Sequence, residues 1–169
     1  MTFTVEDGSG IVNANAYCDD VFADAYFADR NNISWSGTAA IKQAALICAT
    51  DYIELRYSHL FLGDAKTKTQ GLSFPRVSPN FQEMPVGLKR ACCEYAVRAL
   101  AVKLLPDPVI DPTGLGLERT RKKVGPIEKE TRYQYQGAGT IRTIIRPYPA
   151  ADSLLKGLIR SSGGTVIRG

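Results

Sequence analysis

The residues best placed to bind a ligand form a basic run at positions 118 to 123, with the sequence Glu-Arg-Thr-Arg-Lys-Lys. Alternate residues of a strand share a face, so Arg119, Arg121 and Lys123 would line one side of it. Cations at that spacing can follow a phosphate backbone without reading bases. A solvated edge strand, in which lysine discourages aggregation, is the alternative that composition alone favours. We take Arg119, Arg121, Lys122 and Lys123 as the predicted DNA-facing residues.

Tyrosines interleaved with arginines form a second pattern in the same part of the chain. Aromatic side chains next to arginine are what single-strand binders use to stack bases. Tyrosine is equally common in sheets and interfaces, and no five-strand order typical of an OB-fold is visible. The pattern consists of Tyr133, Tyr135 and Tyr148 near Arg132, Arg142 and Arg146.

The sequence offers little for catalysis. Its single histidine, His59, lies in an exposed-looking segment, and no nucleophile motif such as G-x-S-x-G accompanies it. Neither glycine-rich phosphate-binding motif is present. The acidic pair Asp19 and Asp20 suits the first turn of a helix rather than acid–base chemistry. We predict no catalytic residue, no cofactor and no enzymatic activity.

The four cysteines do not predict a metal site or a disulfide framework. Cys92 and Cys93 are adjacent, and none of the four shows C-x-x-C spacing. Free buried thiols are therefore expected. No apolar run reaches 18 residues, and Glu6 and Asp7 interrupt the start where a secretory signal would be apolar, so we expect no membrane contact and folding in a cytoplasm.

Charge is distributed unevenly along the 169 residues, although the net value is only +4. Residues 1–60 carry three Lys or Arg against eight Asp or Glu, a balance of −5. Residues 61–169 carry eighteen against nine, a balance of +9. The asymmetry indicates a surface that meets a polyanion or an acidic partner, unless the two sets of charges simply solvate opposite faces.

Hydrophobic periodicity predicts an α+β protein of one domain, residues 1–169, with a mainly helical bundle core at about 15–105. The predicted helices are 15–30, 38–56, 85–105 and a short one at 150–159. A β-hairpin or small antiparallel sheet is expected within about 115–145, from strands near 122–127, 131–135 and 141–145 and a turn at 137–139. An extended C-terminal tail follows at 160–169.

The same periodicity predicts the core. Leu72, Phe74 and Phe81 should anchor the long connection between the second and third helices. Tyr52, Leu88 and Tyr95 should be buried. The predicted buried stripes are Cys18, Phe22, Ala25 and Tyr26 in the first helix, Ile41, Ala45, Cys48, Tyr52 and Leu55 in the second, and Leu88, Ala91, Cys92, Tyr95, Ala99 and Val102 in the third.

Short motifs in a fixed order carry a family resemblance. They are Thr4-Val-Glu-Asp-Gly8, Ala23-Asp-Ala-Tyr26, Trp35, Ala49-Thr-Asp-Tyr52, Leu72-Ser-Phe-Pro-Arg76, Val86-Gly-Leu-Lys-Arg-Ala91, Lys123-Val-Gly-Pro126 and Arg146-Pro-Tyr-Pro-Ala150. Phe74 stands where a tryptophan is expected. The chain resembles tailed-phage proteins labelled "putative DnaT-like single-stranded-DNA-binding", and is identified through them as a head–tail adaptor of the connector type.

The resemblance implies a structural virion protein in the phage neck, made in the host cytoplasm. It implies a cyclic homo-oligomeric ring, a dodecamer, that binds the portal on one side and a stopper or tail protein on the other, and passes genomic dsDNA with transient contact. The tail residues Thr165, Val166, Ile167 and Arg168 are the predicted portal-binding segment, added to a partner as a strand or bound in a groove, unless the tail folds back on its own domain. The alternative function is a non-sequence-specific single-stranded-DNA-binding module.

Overall fold

A computed structural model describes residues 2–79, 84–106, 116–123, 128–134 and 146–160. The predicted α+β class with a helical core is confirmed. The chain divides into two compact units. The first unit comprises Met1–Leu104 and Pro147–Gly169 and holds the four helices, while the hairpin unit is Leu105–Arg146. The interpretation of residues 1–169 as a single domain stays a prediction.

The N-terminal segment folds around a buried carboxylate. Glu6 is almost fully buried, and its Oε1 accepts hydrogen bonds from the backbone N–H groups of Gly8 and Gly10, each at 2.9 Å. Its Oε2 accepts a third from Ile11 N at 2.8 Å. The Glu-Asp-Gly-Ser-Gly segment is therefore closed by its own glutamate, because a buried carboxylate requires donors.

Helix α1 spans Asp20–Ala28, five residues later than the predicted start at 15. Asp19 is its N-cap and accepts from Phe22 N at 2.6 Å. The chain before it is not helical, because Asp19 has an extended backbone and Ala16 forms a bridge with Val5, its carbonyl accepting from Glu6 N at 2.9 Å. Of the predicted stripe, Cys18 and Tyr26 are buried, Phe22 is half-buried and Ala25 is exposed.

Helix α2 spans Ala39–Tyr57, close to the prediction, with Thr38 as N-cap. Its predicted buried face is partly wrong, since Ile41, Cys48 and Leu55 are exposed. Apolar residues occur on several sides of this helix, so more than one stripe satisfies the helical period. The residues that are buried are Ala45, Leu46, Ala49, Thr50, Tyr52, Ile53 and Tyr57.

Helix α3 spans Val86–Ala99, ends six residues before the predicted end at 105, and packs against α2 and α4. Pro85 is its N-cap, and most of its predicted stripe is confirmed. Val102 is exposed because the helix ends before it. Tyr52 is 2% exposed, and Leu88 and Tyr95 are fully buried, which confirms their assignment to the core.

Helix α4 spans Pro149–Leu155 instead of 150–159. The chain after it forms a bridge between Ile159 and Phe61. The long connection between α2 and α3 contains a 3-10 turn at Ser58–Leu60 and two short antiparallel strands, β1 at Asp64–Ala65 and β2 at Arg76–Val77. Leu72 and Phe74 are buried there as predicted, and Phe81 lies outside the described residues.

The hairpin unit contains strands β3, Gly116–Lys123, and β4, Glu128–Gln134, paired antiparallel. A hairpin was predicted in this region, but its first strand was placed at 122–127, too late in the chain. The expected turn at 137–139 and strand at 141–145 lie outside the described residues. Strand propensity favours β-branched residues such as those at 141–145 over charged ones. The prediction therefore missed the start of β3, which is rich in charged residues.

Candidate nucleic-acid interface

All four predicted DNA-facing residues lie on one strand. Arg119, Arg121, Lys122 and Lys123 belong to β3, and the strand is extended as the basic-strand prediction required. Its register with β4 is irregular between Leu117 and Arg119, where Glu118 is the additional residue. From Arg119 onward the pairing continues without interruption to the end of both strands.

The register sets the residue opposite each of these cations. Arg121 is opposite Glu130, and Lys123 is opposite Glu128. Two other positions pair cation with cation. They are Arg119 opposite Arg132 and Lys122 opposite Lys129. Directly opposite like charges destabilise an antiparallel pair, whereas opposite charges stabilise it. Of the four predicted DNA-facing residues, Arg121 and Lys123 therefore have an acidic residue opposite them in the register, whereas Arg119 and Lys122 have a basic one.

Excess positive charge is concentrated in the hairpin unit. Residues 105–146 carry eight Lys or Arg against five Asp or Glu, and the other residues of the chain carry thirteen against twelve. The first unit is thus almost neutral although it holds three-quarters of the chain. An interface for a polyanion is favoured in the hairpin unit by its charge.

The described tyrosines of the predicted stacking pattern belong to different units. Tyr133 lies in β4 opposite Leu117. Tyr148 is 5% exposed and packs in the first unit against Tyr52 and Tyr95, with ring centroids 5.8 Å away in both cases, so it is unavailable to a base. Arg146 is exposed, and Tyr135 and Arg142 lie outside the described residues.

A buried polar cluster in the first unit was not predicted. The Asp152 carboxylate on α4 accepts from Tyr57 Oη at 2.8 Å, from Tyr95 Oη, and from Tyr148 N at 3.0 Å. The Arg56 guanidinium lies 3.5 Å from it. Burial raises the pKa of Tyr57 to about 12, and the pKa of Tyr95 is raised by burial and by its hydrogen bond to Asp152. These groups satisfy one another and join α2, α3 and α4, so we assign the cluster a structural role.

The thiols and the histidine do not form a catalytic group within the described residues. Cys18 Sγ lies 3.7 Å from Cys93 Sγ, and Cys92 Sγ lies 3.5 Å from Thr50 Oγ1. A hydrogen bond to Cys18, together with burial, raises the pKa of the Cys92 thiol, which keeps it protonated and unreactive. His59 is exposed on the 3-10 turn, and Cys48 is an exposed free thiol where a buried one was expected.

A shallow depression of about 300 Å³ lies beside Trp35 in the first unit. Its polar groups already bond one another, since Asp24 Oδ1 accepts from Trp35 Nε1 at 2.6 Å and from Lys42 Nζ at 2.8 Å. The described residues contain no group of His, Cys, Asp or Glu side chains that could hold a metal ion. No helix in the described ranges is long and apolar enough to cross a bilayer.

Comparison with curated proteins and with solved structures gives no match to the chain. Comparison with protein-family models gives a match over residues 1–169, to a model whose description names single-stranded DNA. That description supports the predicted contact with DNA. It gives no support to a portal, a stopper or a ring of twelve subunits.

The identification as a head–tail adaptor is wrong, because the description of the matching family names single-stranded-DNA binding and not a phage connector. The virion, neck and dodecamer predictions lose their basis with it. Thr165, Val166, Ile167 and Arg168 lie outside the described residues, and their portal-binding role depended on the same identification. The chain, matched along its whole length, belongs to the family described as "Putative DnaT-like ssDNA binding protein".

Proposed function

We propose that the protein binds single-stranded DNA without sequence specificity and that the hairpin unit supplies the contact. The observation that carries the proposal is the match of the family model to all 169 residues. The alternative considered from the sequence, a non-specific single-strand binder, is the function that this match favours.

The charge and geometry of the hairpin support the same site. Residues along a strand rise about 3.4 Å each, so alternate positions of β3 repeat every 6.8 Å or so. Arg119, Arg121, Lys122 and Lys123 fall within five consecutive positions of that extended strand. Cations arranged in this way can neutralise successive phosphates of a strand whatever its base sequence. A non-specific binder requires no more than this electrostatic contact and some stacking.

Binding, rather than catalysis, is the proposed activity. Thiols with raised pKa values are poor nucleophiles. The exposed His59 has no described hydrogen bond to orient it as a base. A protein that coats or holds DNA needs neither group.

The test is a salt titration of binding to a fluorescent oligo-dT, followed by anisotropy. The wild-type affinity should fall as salt rises, with a log–log slope of about −0.7 for each phosphate neutralised. Replacing Arg119, Arg121, Lys122 and Lys123 together by Gln should make the slope shallower by about 0.7 for each of them that neutralises a phosphate.

A matched control removes charge from the first unit. Lys68 and Lys156 are exposed there, and Lys68→Gln with Lys156→Gln should leave the slope close to that of the wild type. Wild-type protein that fails to bind oligo-dT at low salt would refute the proposed function. Equal losses in the quadruple variant and in the control would refute the hairpin as its site.

A further inference from the structure

The register of the hairpin divides its residues into two rows, and we propose that single-stranded DNA lies along the row that contains Lys122, Lys129 and Tyr133. This inference rests on the proposed function and specifies the binding surface for it. It differs from the sequence-based assignment, which placed the phosphate contacts mainly along Arg119, Arg121 and Lys123.

Alternation along paired strands defines the two rows. The first row, called the acid-free row, consists of the pairs Leu117 with Tyr133, Thr120 with Thr131, and Lys122 with Lys129. The second, called the mixed row, consists of Gly116 with Gln134, Arg119 with Arg132, Arg121 with Glu130, and Lys123 with Glu128. The bulge residue Glu118 belongs to neither set of pairs.

Net charge does not distinguish the rows. The acid-free row has two cations and no acid, whereas the mixed row has four cations and two acids, so both have a balance of +2. The difference lies in what a phosphate would meet. Along the mixed row it would approach Glu128 and Glu130 as well as the cations, because these acids stand opposite Lys123 and Arg121 in the register.

A polyanion should relieve the most like-charge repulsion at the Lys122–Lys129 pair. Opposite like charges destabilise a strand pair, and no carboxylate residue stands opposite Lys122 or at its described diagonal position, Thr131. The other like-charge pair, Arg119 with Arg132, has Glu130 diagonal to Arg119. A phosphate beside the two lysines would convert an unfavourable pair into two favourable contacts.

Tyr133 completes the acid-free row as a site for a base. It lies four positions after Lys129 along β4, a distance of about 13 Å. Stacking on an aromatic ring is sequence-tolerant because every base has a π-face. Thr120 and Thr131 lie between the lysines and Tyr133 and add hydroxyl groups that can donate to phosphate oxygens. Cations, hydroxyls and an aromatic ring together match an unpaired strand better than a duplex, whose bases are already stacked.

The experiment compares two double variants that each remove two positive charges and one like-charge pair. Lys122→Gln with Lys129→Gln alters the acid-free row, and Arg119→Gln with Arg132→Gln alters the mixed row. Affinity for oligo-dT should fall at least 10-fold in the first and less than 3-fold in the second. The salt slope should become shallower by about 1.4 in the first alone, since two phosphate contacts are lost.

Tyr133 is tested separately. Tyr133→Leu should weaken oligo-dT binding about 10- to 100-fold, the range that stacking free energies imply, and Tyr133→Phe should retain most of the affinity. Thermal unfolding without DNA serves as the folding control, and the Lys122→Gln, Lys129→Gln variant should be at least as stable as the wild type because repulsion is removed.

The outcomes separate this inference from the proposed function. A wild-type protein that ignores oligo-dT would defeat both. A wild type that binds, together with a larger loss in the Arg119, Arg132 variant than in the Lys122, Lys129 variant, would overturn the acid-free row while the proposed function stands. Equal losses in Tyr133→Leu and Tyr133→Phe would exclude stacking on that ring.

Discussion

The Asp152 cluster allows a prediction of stability that can be worked from the contacts. Asp152→Ala removes the acceptor for two tyrosine hydroxyls, Tyr57 Oη at 2.8 Å and Tyr95 Oη, and for Tyr148 N at 3.0 Å. A hydrogen bond to a charged group contributes about 1.5 to 3 kcal/mol, and a buried donor left unpaired costs about 1 to 3 kcal/mol. The two hydroxyls lie 3.4 Å apart and can partly satisfy each other. We therefore expect a loss of about 3 to 5 kcal/mol in the free energy of unfolding.

That loss should depend on the tyrosine hydroxyls, which gives the prediction a control. In a Tyr57→Phe, Tyr95→Phe background the two donors are absent, so Asp152→Ala should cost about 2 kcal/mol less than in the wild-type background. Urea denaturation followed by circular dichroism measures the four free energies of this cycle. An equal cost of Asp152→Ala in both backgrounds would refute the reasoning that the carboxylate acts through these hydroxyls.

Three further predictions test other parts of the first unit. Leu88→Ala should lower the free energy of unfolding by about 2 to 5 kcal/mol because Leu88 is fully buried, whereas Val86→Ala, at an exposed position of the same helix, should change it by less than about 0.5 kcal/mol in urea denaturation. Gly63→Ala should lower the free energy of unfolding by about 1 to 3 kcal/mol or more, since the φ of Gly63 is +78° and an added Cβ would lie 2.3 Å from Val77 O. Gly157→Ala is the matched control, because a Cβ there meets nothing within 4 Å. Equal melting temperatures of the two variants would contradict the strain at Gly63. The free energy of unfolding should fall as pH rises above about 10, because Tyr57 loses its proton near pH 10 in the unfolded chain and only near its raised pKa of about 12 in the folded one. Tyr57→Phe should make this decline less steep. Identical profiles of stability against pH for the wild type and Tyr57→Phe would contradict the raised pKa.

Local signals predicted the elements better than the faces they bury. Thr38 and the apolar run after it gave α2 nearly its observed ends. The same run is apolar on several sides, so the helical period alone chose Ile41 and Leu55, which α3 and the loops do not cover. Which stripe is buried depends on the position of α3, and that is a property of tertiary packing rather than of the helix.

The polar contacts were beyond prediction because they join distant positions. The Glu6 carboxylate accepts from the N–H groups of glycines two and four residues later. Glycine-rich sequence indicates a turn there, but it does not specify these hydrogen bonds. Asp152 accepts hydrogen bonds from Tyr57, which is 95 residues away in sequence, and from Tyr95, which is 57 residues away. No spacing rule connects such residues before the fold is known.

At the candidate interface, too, the local pattern was predictable and the partner residues were not. The basic residues of β3 are visible in the sequence, and their placement on one strand followed from alternation. The acids opposite Arg121 and Lys123 became apparent only from the register with β4. The sequence-based first strand at 122–127 left Arg119 and Arg121 outside the paired segment, so the residues opposite them could not be assigned. The acid-free row therefore became apparent only with the observed pairing.

A competition between single-stranded and duplex DNA shows whether the protein prefers the single strand. A labelled oligo-dT bound to the wild-type protein at low salt is titrated with unlabelled single strand or with a duplex of equal length, and anisotropy reports displacement. The single strand should displace the probe at a concentration at least 10-fold lower than the duplex does, because only unpaired bases are free to stack. Displacement by duplex at equal or lower concentration, or an oligo-dT that never binds, would contradict it.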